Sequence, residues 1–168
     1  KIVVGTVSFM LTMIILGFAV LREPTRLQEF ARALEGRAIE NGAATFQSTC
    51  ATCHGPDGRA QTCIAPTGEE TTCIGRPLNN AALLCGDPSP RLEELQWTGT
   101  KRNLVLSTVA GGRPGTQMPA WAQDYGGPLQ QNEIEDVTAY ILNWETEELC
   151  AGPVEVEAPW PVEGWPES

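Results

Sequence analysis

The sequence predicts an all-α chain, in which a single N-terminal transmembrane helix precedes one small domain of helices and loops. Three observations point there. Ile2 to Leu21 is a run of twenty residues without a charge. Apolar residues recur at helical spacing in two later stretches, Leu27, Phe30, Ala31, Leu34 and then Ile134, Val137, Ile141, Trp144. Many of the 17 glycines and 13 prolines fall in the segments between, where no period is sustained.

The apolar run comes first. At about 1.5 Å rise per residue, such a run covers the ~30 Å hydrocarbon core of a bilayer. Only Thr6, Ser8 and Thr12 interrupt it with hydroxyls. A cleaved signal peptide is the alternative, but its apolar region is shorter and ends in small residues. Here the run ends in Val20-Leu21-Arg22-Glu23-Pro24, so residues 1–22 read as an uncleaved anchor in the lipid bilayer. Arg22, Arg26, Arg32 and Arg37 follow the span, while Lys1 alone precedes it. Taken alone, the positive-inside rule would leave the rest of the chain in the cytoplasm.

After the anchor, Pro24 is placed to open a helix, since its missing N–H would have no partner there anyway. Residues 23–36 are expected to form an amphipathic stalk ended by Gly36, and a second helix to run from about Arg37 to Ser48. Gly55 to Asp87 reads as loop, as does Gly111 to Pro119. Short helices are expected over Leu92 to Trp97 and Lys101 to Val109. Asn132 is expected to cap the last helix, with Glu135 three residues later in capping-box spacing. Residues 151–168 form a Pro- and Glu-rich tail, expected to be extended. Its Trp160 and Trp165 are candidate anchors for a partner's groove.

The formal net charge is -10, from 11 basic and 21 acidic residues. That excludes nucleic acid as a partner, because phosphate must be met by basic groups. It favours a protein partner with a basic patch, steered to the encounter by charge. Six cysteines are many for a cytosolic chain and fit an oxidising compartment. The sequence contains no phosphate loop, hydrolytic triad or carboxylate pair in a convincing setting.

Cys50-Ala51-Thr52-Cys53-His54 has the C-x-x-C-H pattern of c-type haem attachment. Two thiols one helical turn apart can add to the two vinyl groups of haem as thioethers, and the next residue then projects its imidazole at the iron. A thioredoxin-like redox pair needs a βαβ setting that is lacking here, and a zinc site needs a second close pair of ligands. His54 is the single histidine, so a second imidazole ligand from this chain is impossible. Met10 and Met13 lie in the anchor, leaving Met118 as the candidate sixth ligand, at the end of a flexible loop and before the rigid Pro119. Its thioether is a soft, neutral iron ligand that raises the reduction potential. With both axial positions filled, no position is open for dioxygen or peroxide, so the pattern points to electron transfer.

Residues from about Gly42 to Trp144 resemble a class I (mitochondrial-type) cytochrome c domain. Gly42 and Phe46 stand eight and four residues before Cys50, as in that family's first helix. Val137-Thr138-Ala139-Tyr140-Ile141 is similar to its last helix, whose aromatic residue packs near that glycine. Met118-Pro119-Ala120-Trp121 is similar to its methionine-ligand segment. The resemblance implies an all-α class I cytochrome c fold over residues 37–150, with helices and loops around one covalent haem c and its iron, preceded by the transmembrane helix. It also implies a haem domain outside the cytoplasm, where such attachment is completed. The chain would then be single-pass in a bacterial plasma membrane, with its haem domain on the periplasmic side, against the positive-inside count.

In that family a proline shortly after the motif offers its carbonyl to the other nitrogen of the ligand histidine. Gly75-Arg76-Pro77-Leu78 is the candidate segment here, with the carbonyl of either Arg76 or Pro77. Trp97, Arg113 and Trp121 are further candidates for lining the haem or holding its propionates. The segment from Gly55 to Leu84 is long for the family. Its Cys63 and Cys73 are expected to close a local loop, and Cys85 to pair with Cys150, although four cysteines allow three connectivities.

The anchor, the long insertion, the tail and Tyr125-Gly126-Gly127-Pro128-Leu129 are similar to the monohaem cytochrome subunit of alternative complex III, a bacterial quinol-oxidising assembly. The resemblance implies a one-electron carrier, itself a subunit of an oxidoreductase complex. Its partners would be the other subunits of a respiratory or photosynthetic membrane complex and a periplasmic redox protein. Two alternatives stand beside it. One is a haem-bearing subunit feeding a terminal oxidase or other catalytic chain; the other is a haem-based sensor with a labile methionine ligand.

Overall fold

The structure is a computed structural model and describes residues 2–65 and 67–152. The chain divides into two compact units, one ending at Arg37 and one beginning at Ala38. The predicted tail, with Trp160 and Trp165, lies outside the described residues except for its first two positions.

Helix α1 spans Ile2–Thr45. Within the first unit its apolar side chains are exposed, and near the N-terminus it is long and apolar enough to cross a membrane, with a mean hydropathy of 2.3 over an 18-residue window. The Thr6 and Thr12 hydroxyls donate to the carbonyls of Val3 at 3.0 Å and Ser8 at 2.8 Å. The hydroxyls thus bond within the helix, which apolar surroundings demand.

Two boundaries expected from the sequence do not occur. Pro24 lies inside α1 rather than at its start, and the helix continues through Gly36. Glycine costs a helix roughly 1 kcal/mol and proline roughly 3. Strong helix formers surround both positions, and Glu23 pairs with Arg26 across Pro24 at 2.6 Å.

In the second unit the end of α1 is followed by a wide π turn over Phe46–Cys50 and then by α2, Ala51–His54. The expected helix into the motif is therefore present, but its winding changes before the first motif cysteine. The segment read as loop after Gly55 contains two strands of two residues, β1 (Cys63–Ile64) and β2 (Glu70–Thr71), paired antiparallel with Cys63 opposite Thr71. The Cys63–Cys73 disulfide closes this hairpin. A short α3, Ala81–Leu84, follows, capped by Asn80, whose side-chain oxygen accepts from Leu83 N at 2.9 Å.

Helix α4 spans Pro90–Glu94, with Pro90 in its first turn. Helix α5 spans Lys101–Gly111 and is capped by the Thr100 hydroxyl. The last expected helix is α6, Gln131–Leu142. Its cap is Gln130 rather than Asn132: the Glu133 carboxylate accepts from Gln130 N at 2.8 Å, so the capping box sits two residues before the predicted one. A further short helix, α7 (Glu147–Cys150), was not anticipated and is capped by Thr146. It ends on the Cys85–Cys150 disulfide, which joins it to the end of α3. Both disulfides have the expected pairing.

Ile134, Val137 and Ile141 of α6 are fully buried, as is Phe46 from the π turn. Each such side chain contributes about 1.5–3 kcal/mol relative to exposure. Helix α5 adds Leu104, Val105 and Val109 to the same core. Where α1 meets α6, Gly42 leaves no room for a side chain, because a Cβ there would collide with the Asp136 carbonyl. Phe46, Tyr140 and Trp144 form an edge-packed cluster beside this crossing, with centroids 5.0–5.5 Å apart.

Candidate functional site

The π turn and α2 carry the motif. Cys50 and Cys53 are half-buried free thiols, while the other four cysteines are paired. Burial, and secondarily the neighbouring Cys53, push the Cys50 thiol up to about 11. Cys50 and Ala51 pack against the hydrophobic core, which holds the start of α2 in place.

His54 Nδ1 lies 2.7 Å from the carbonyl oxygen of Arg76. A carbonyl has no proton to give, so Nδ1 is the donor and the ring is the Nδ1–H tautomer. Nε2 then presents a free lone pair, as a metal ligand must. Burial lowers the His54 pKa and the bond to Arg76 partly opposes it. The alternative carbonyl is engaged elsewhere, since Pro77 O accepts from Asn80 Nδ2 at 2.9 Å. The residue that orients the imidazole is therefore Arg76, through its backbone.

Gly75 makes this bond possible, and the sequence reading assigned it no role. A Cβ at 75 would stand 2.6 Å from His54 Nδ1 and 2.7 Å from the Cys53 carbonyl oxygen, to which Gly75 N donates at 2.8 Å. The only signal for it in the sequence is a glycine directly before Arg76-Pro77. A second tie lies further on, where Leu78 N and Asn79 N both donate to Gly58 O, at 2.7 and 2.9 Å. Gly58 in turn takes the Trp144 ring against its face, where a Cβ would clash.

Met118 lies on a closed loop. Arg113 N donates to Met118 O at 3.0 Å, and the Thr116 hydroxyl accepts from Met118 N at 3.2 Å. Gly112 starts the loop at φ +68°, and a Cβ there would lie 2.5 Å from the Pro119 carbonyl carbon. Glycine meets both demands. After the loop, Trp121 N and Ala122 N return to the carbonyl of Ala110 at 3.2 and 3.1 Å, so both loop ends are pinned to the C-terminus of α5. Met118 and Trp121 are half-buried and pack on the core that also holds Cys50 and Ala51.

The attachment turn and the methionine loop thus each pack on the same hydrophobic core. Trp97 is not among the residues packed on it: its indole leans over Gly99, and the residue is 37% exposed. Arg113 closes the Met118 loop with its backbone, and among the described residues its guanidinium makes no ion pair.

Two free thiols in an otherwise disulfide-paired chain, beside an imidazole with an open Nε2, fit haem c. Haem would be held through Cys50, Cys53 and His54, and half-buried apolar side chains including Met118 and Trp121 are available against it.

Residues 37–141 match the family model described as cytochrome c oxidase, cbb3-type, subunit III. No curated protein matches the chain. Among solved structures it is similar to cytochrome cL of the marine methylotrophic bacterium Methylophaga aminisulfidivorans, at 21% identity and TM-score 0.41, covering 73% of this chain and 74% of that one. The family match takes in more than half of the 168 residues, and the chain therefore belongs to that family, as a class I monohaem cytochrome c with covalently bound haem c and haem-based electron transfer as its function.

Proposed function

We propose that the chain relays single electrons through a haem tethered by Cys50 and Cys53 and ligated by His54 and Met118, as a membrane-anchored subunit of a respiratory or photosynthetic complex. The observation that carries this reading is the bond from His54 Nδ1 to Arg76 O, which leaves Nε2 open beside two free thiols. Each thiol adds its sulfur and hydrogen across one vinyl group. Bound haem supplies the iron that takes up and releases the electron. The Arg76 carbonyl keeps the imidazole in one tautomer and strengthens it as a donor. The Met118 loop, pinned to α5, would offer its sulfur as the second protein ligand to the iron.

Residues 1–22 serve as the anchor, 23–36 as a stalk, 37–150 as the haem domain and 151–168 as a docking tail. The two disulfides support a periplasmic haem domain on a bacterial plasma membrane. Electrons come from a quinol-oxidising complex, such as alternative complex III, and pass to a periplasmic carrier. The family description favours a second reading of the complex, in which the haem feeds a terminal oxidase.

Absorption spectra of wild type and Met118→Ala test the ligands. The weak long-wavelength sulfur-to-iron charge-transfer band of the oxidised protein is expected in wild type and absent from the variant. Its absence from wild type, with carbon monoxide binding to the reduced form, would replace the relay by the sensor reading. Co-purification with a multihaem cytochrome or with an oxidase core separates the two complexes.

A further inference from the structure

The Cys63–Cys73 hairpin and the arm after it touch the attachment helix at the backbone of Ala51, Cys53 and His54 and at the His54 ring. Both cysteines are buried, at 0% and 5% exposure. Cys63 Sγ lies 3.6 Å from the carbonyl oxygen of Ala51, at the start of α2. A disulfide sulfur carries no proton, so this is a packing contact rather than a hydrogen bond. At the other end of α2, Ala60 N donates to His54 O at 2.9 Å and Gly75 N to Cys53 O at 2.8 Å. Cys73 is two residues before Gly75 and three before Arg76, whose carbonyl holds the imidazole. The disulfide therefore joins a residue packed on the first turn of α2 to the short arm that reaches its last residue.

We propose that the Cys63–Cys73 disulfide is a positioning element for His54, locking the Arg76 carbonyl against Nδ1. The inference rests on His54 being the iron ligand. Among the described residues between α2 and α3, the two-residue strands of this hairpin are the only regular pairing. Without the cross-link, the arm from Cys73 to Arg76 would be placed by a hairpin with a two-residue register and by the bonds of Gly75, Leu78 and Asn79. Freed chain ends sample more conformations, and the cost of bringing them back falls on the contacts that remain. The most exacting of those is the imidazole bond, because it needs the carbonyl within hydrogen-bonding reach of one nitrogen. The other disulfide, Cys85–Cys150, spans 65 residues and has no member in this arm, so it provides an internal comparison.

The test compares the full-chain holoprotein in detergent with Cys63→Ser/Cys73→Ser and with Cys85→Ser/Cys150→Ser. Three quantities are read: hydrogen exchange at His54 Nδ1–H by NMR, reduction potential, and thermal stability. In the first variant, exchange at Nδ1–H is expected to be about tenfold faster or more, and the potential to rise as the imidazole becomes a weaker donor. In the second, stability falls while exchange and potential stay at wild-type values. Should the serine pair not yield holoprotein, Cys63→Ala/Cys73→Val keeps the buried site apolar and is read in the same way. Exchange and potential unchanged in the 63/73 variant, or shifted equally in both variants, overturns the proposal. His54→Ala is the separate check on ligation: a low-spin spectrum that survives it refutes the ligand assignment itself, whatever the cysteine variants do.

Discussion

Gly42 and Tyr140 touch across the crossing of α1 and α6 so closely that a Cβ at position 42 would lie 2.9 Å from the Tyr140 Cβ. The Asp136 carbonyl is nearer still. Backbone cannot step aside as a flexible side chain can, so any larger residue must push the two helices apart. Gly42→Ala is expected to cost about 1–3 kcal/mol, in the range of overpacked cores. Urea unfolding should show a lower midpoint with an unchanged slope. Near-ultraviolet circular dichroism should report the loosened Phe46–Tyr140–Trp144 cluster.

Gly75→Ala attacks the site rather than the fold. The new methyl would overlap His54 Nδ1 and Cε1, at 2.6 and 2.8 Å, and the ring has to leave the Arg76 carbonyl. The haem is expected to stay attached through Cys50 and Cys53 while its spectrum gains a high-spin component. Gel staining for covalent haem, read beside the absorption spectrum, separates the two effects.

Gly112→Ala acts on the opposite ligand loop. A Cβ there meets the Pro119 carbonyl carbon at 2.5 Å, and the φ of +68° is itself strained for alanine. The loop ending in Met118 is displaced, so the charge-transfer band of sulfur ligation should weaken or vanish and carbon monoxide should bind the reduced form. A band identical to wild type would show that the loop tolerates the strain.

Lys101 donates to the Leu84 carbonyl and pairs with Glu145 at 2.8 Å, tying the start of α5 to α3 and to the turn after α6. The Glu145 side chain is 41% exposed, so Glu145→Gln is expected to cost less than about 1 kcal/mol. Lys101→Met also removes the Lys101 bond to Leu84 O and is expected to cost about 1–3 kcal/mol. Paired thermal or urea melts of the two variants test this order.

Much of this protein was legible in the residues alone. The apolar run from Ile2 to Leu21, the Cys50–His54 motif and the buried face Ile134, Val137, Ile141 depend on local spacing, which a sequence displays directly. Helix ends were read less well. Pro24 and Gly36 are breakers by propensity, but a few kcal/mol of local cost is outweighed by the helix formers around them. Gln130 took the cap expected of Asn132 because Glu133, not Glu135, reached back to the free N–H.

The choices that remained needed distances between residues far apart in the chain. Sequence could name Arg76 or Pro77, and only packing showed the Arg76 carbonyl at His54 while Asn80 holds that of Pro77. Spacing allowed three disulfide patterns, and the pairing of β1 with β2 and the approach of α7 to α3 selected one. The role of Gly75 was hidden for the same reason. A residue whose function is to leave space shows nothing until the neighbour that fills the space, here the imidazole of His54, has been brought against it.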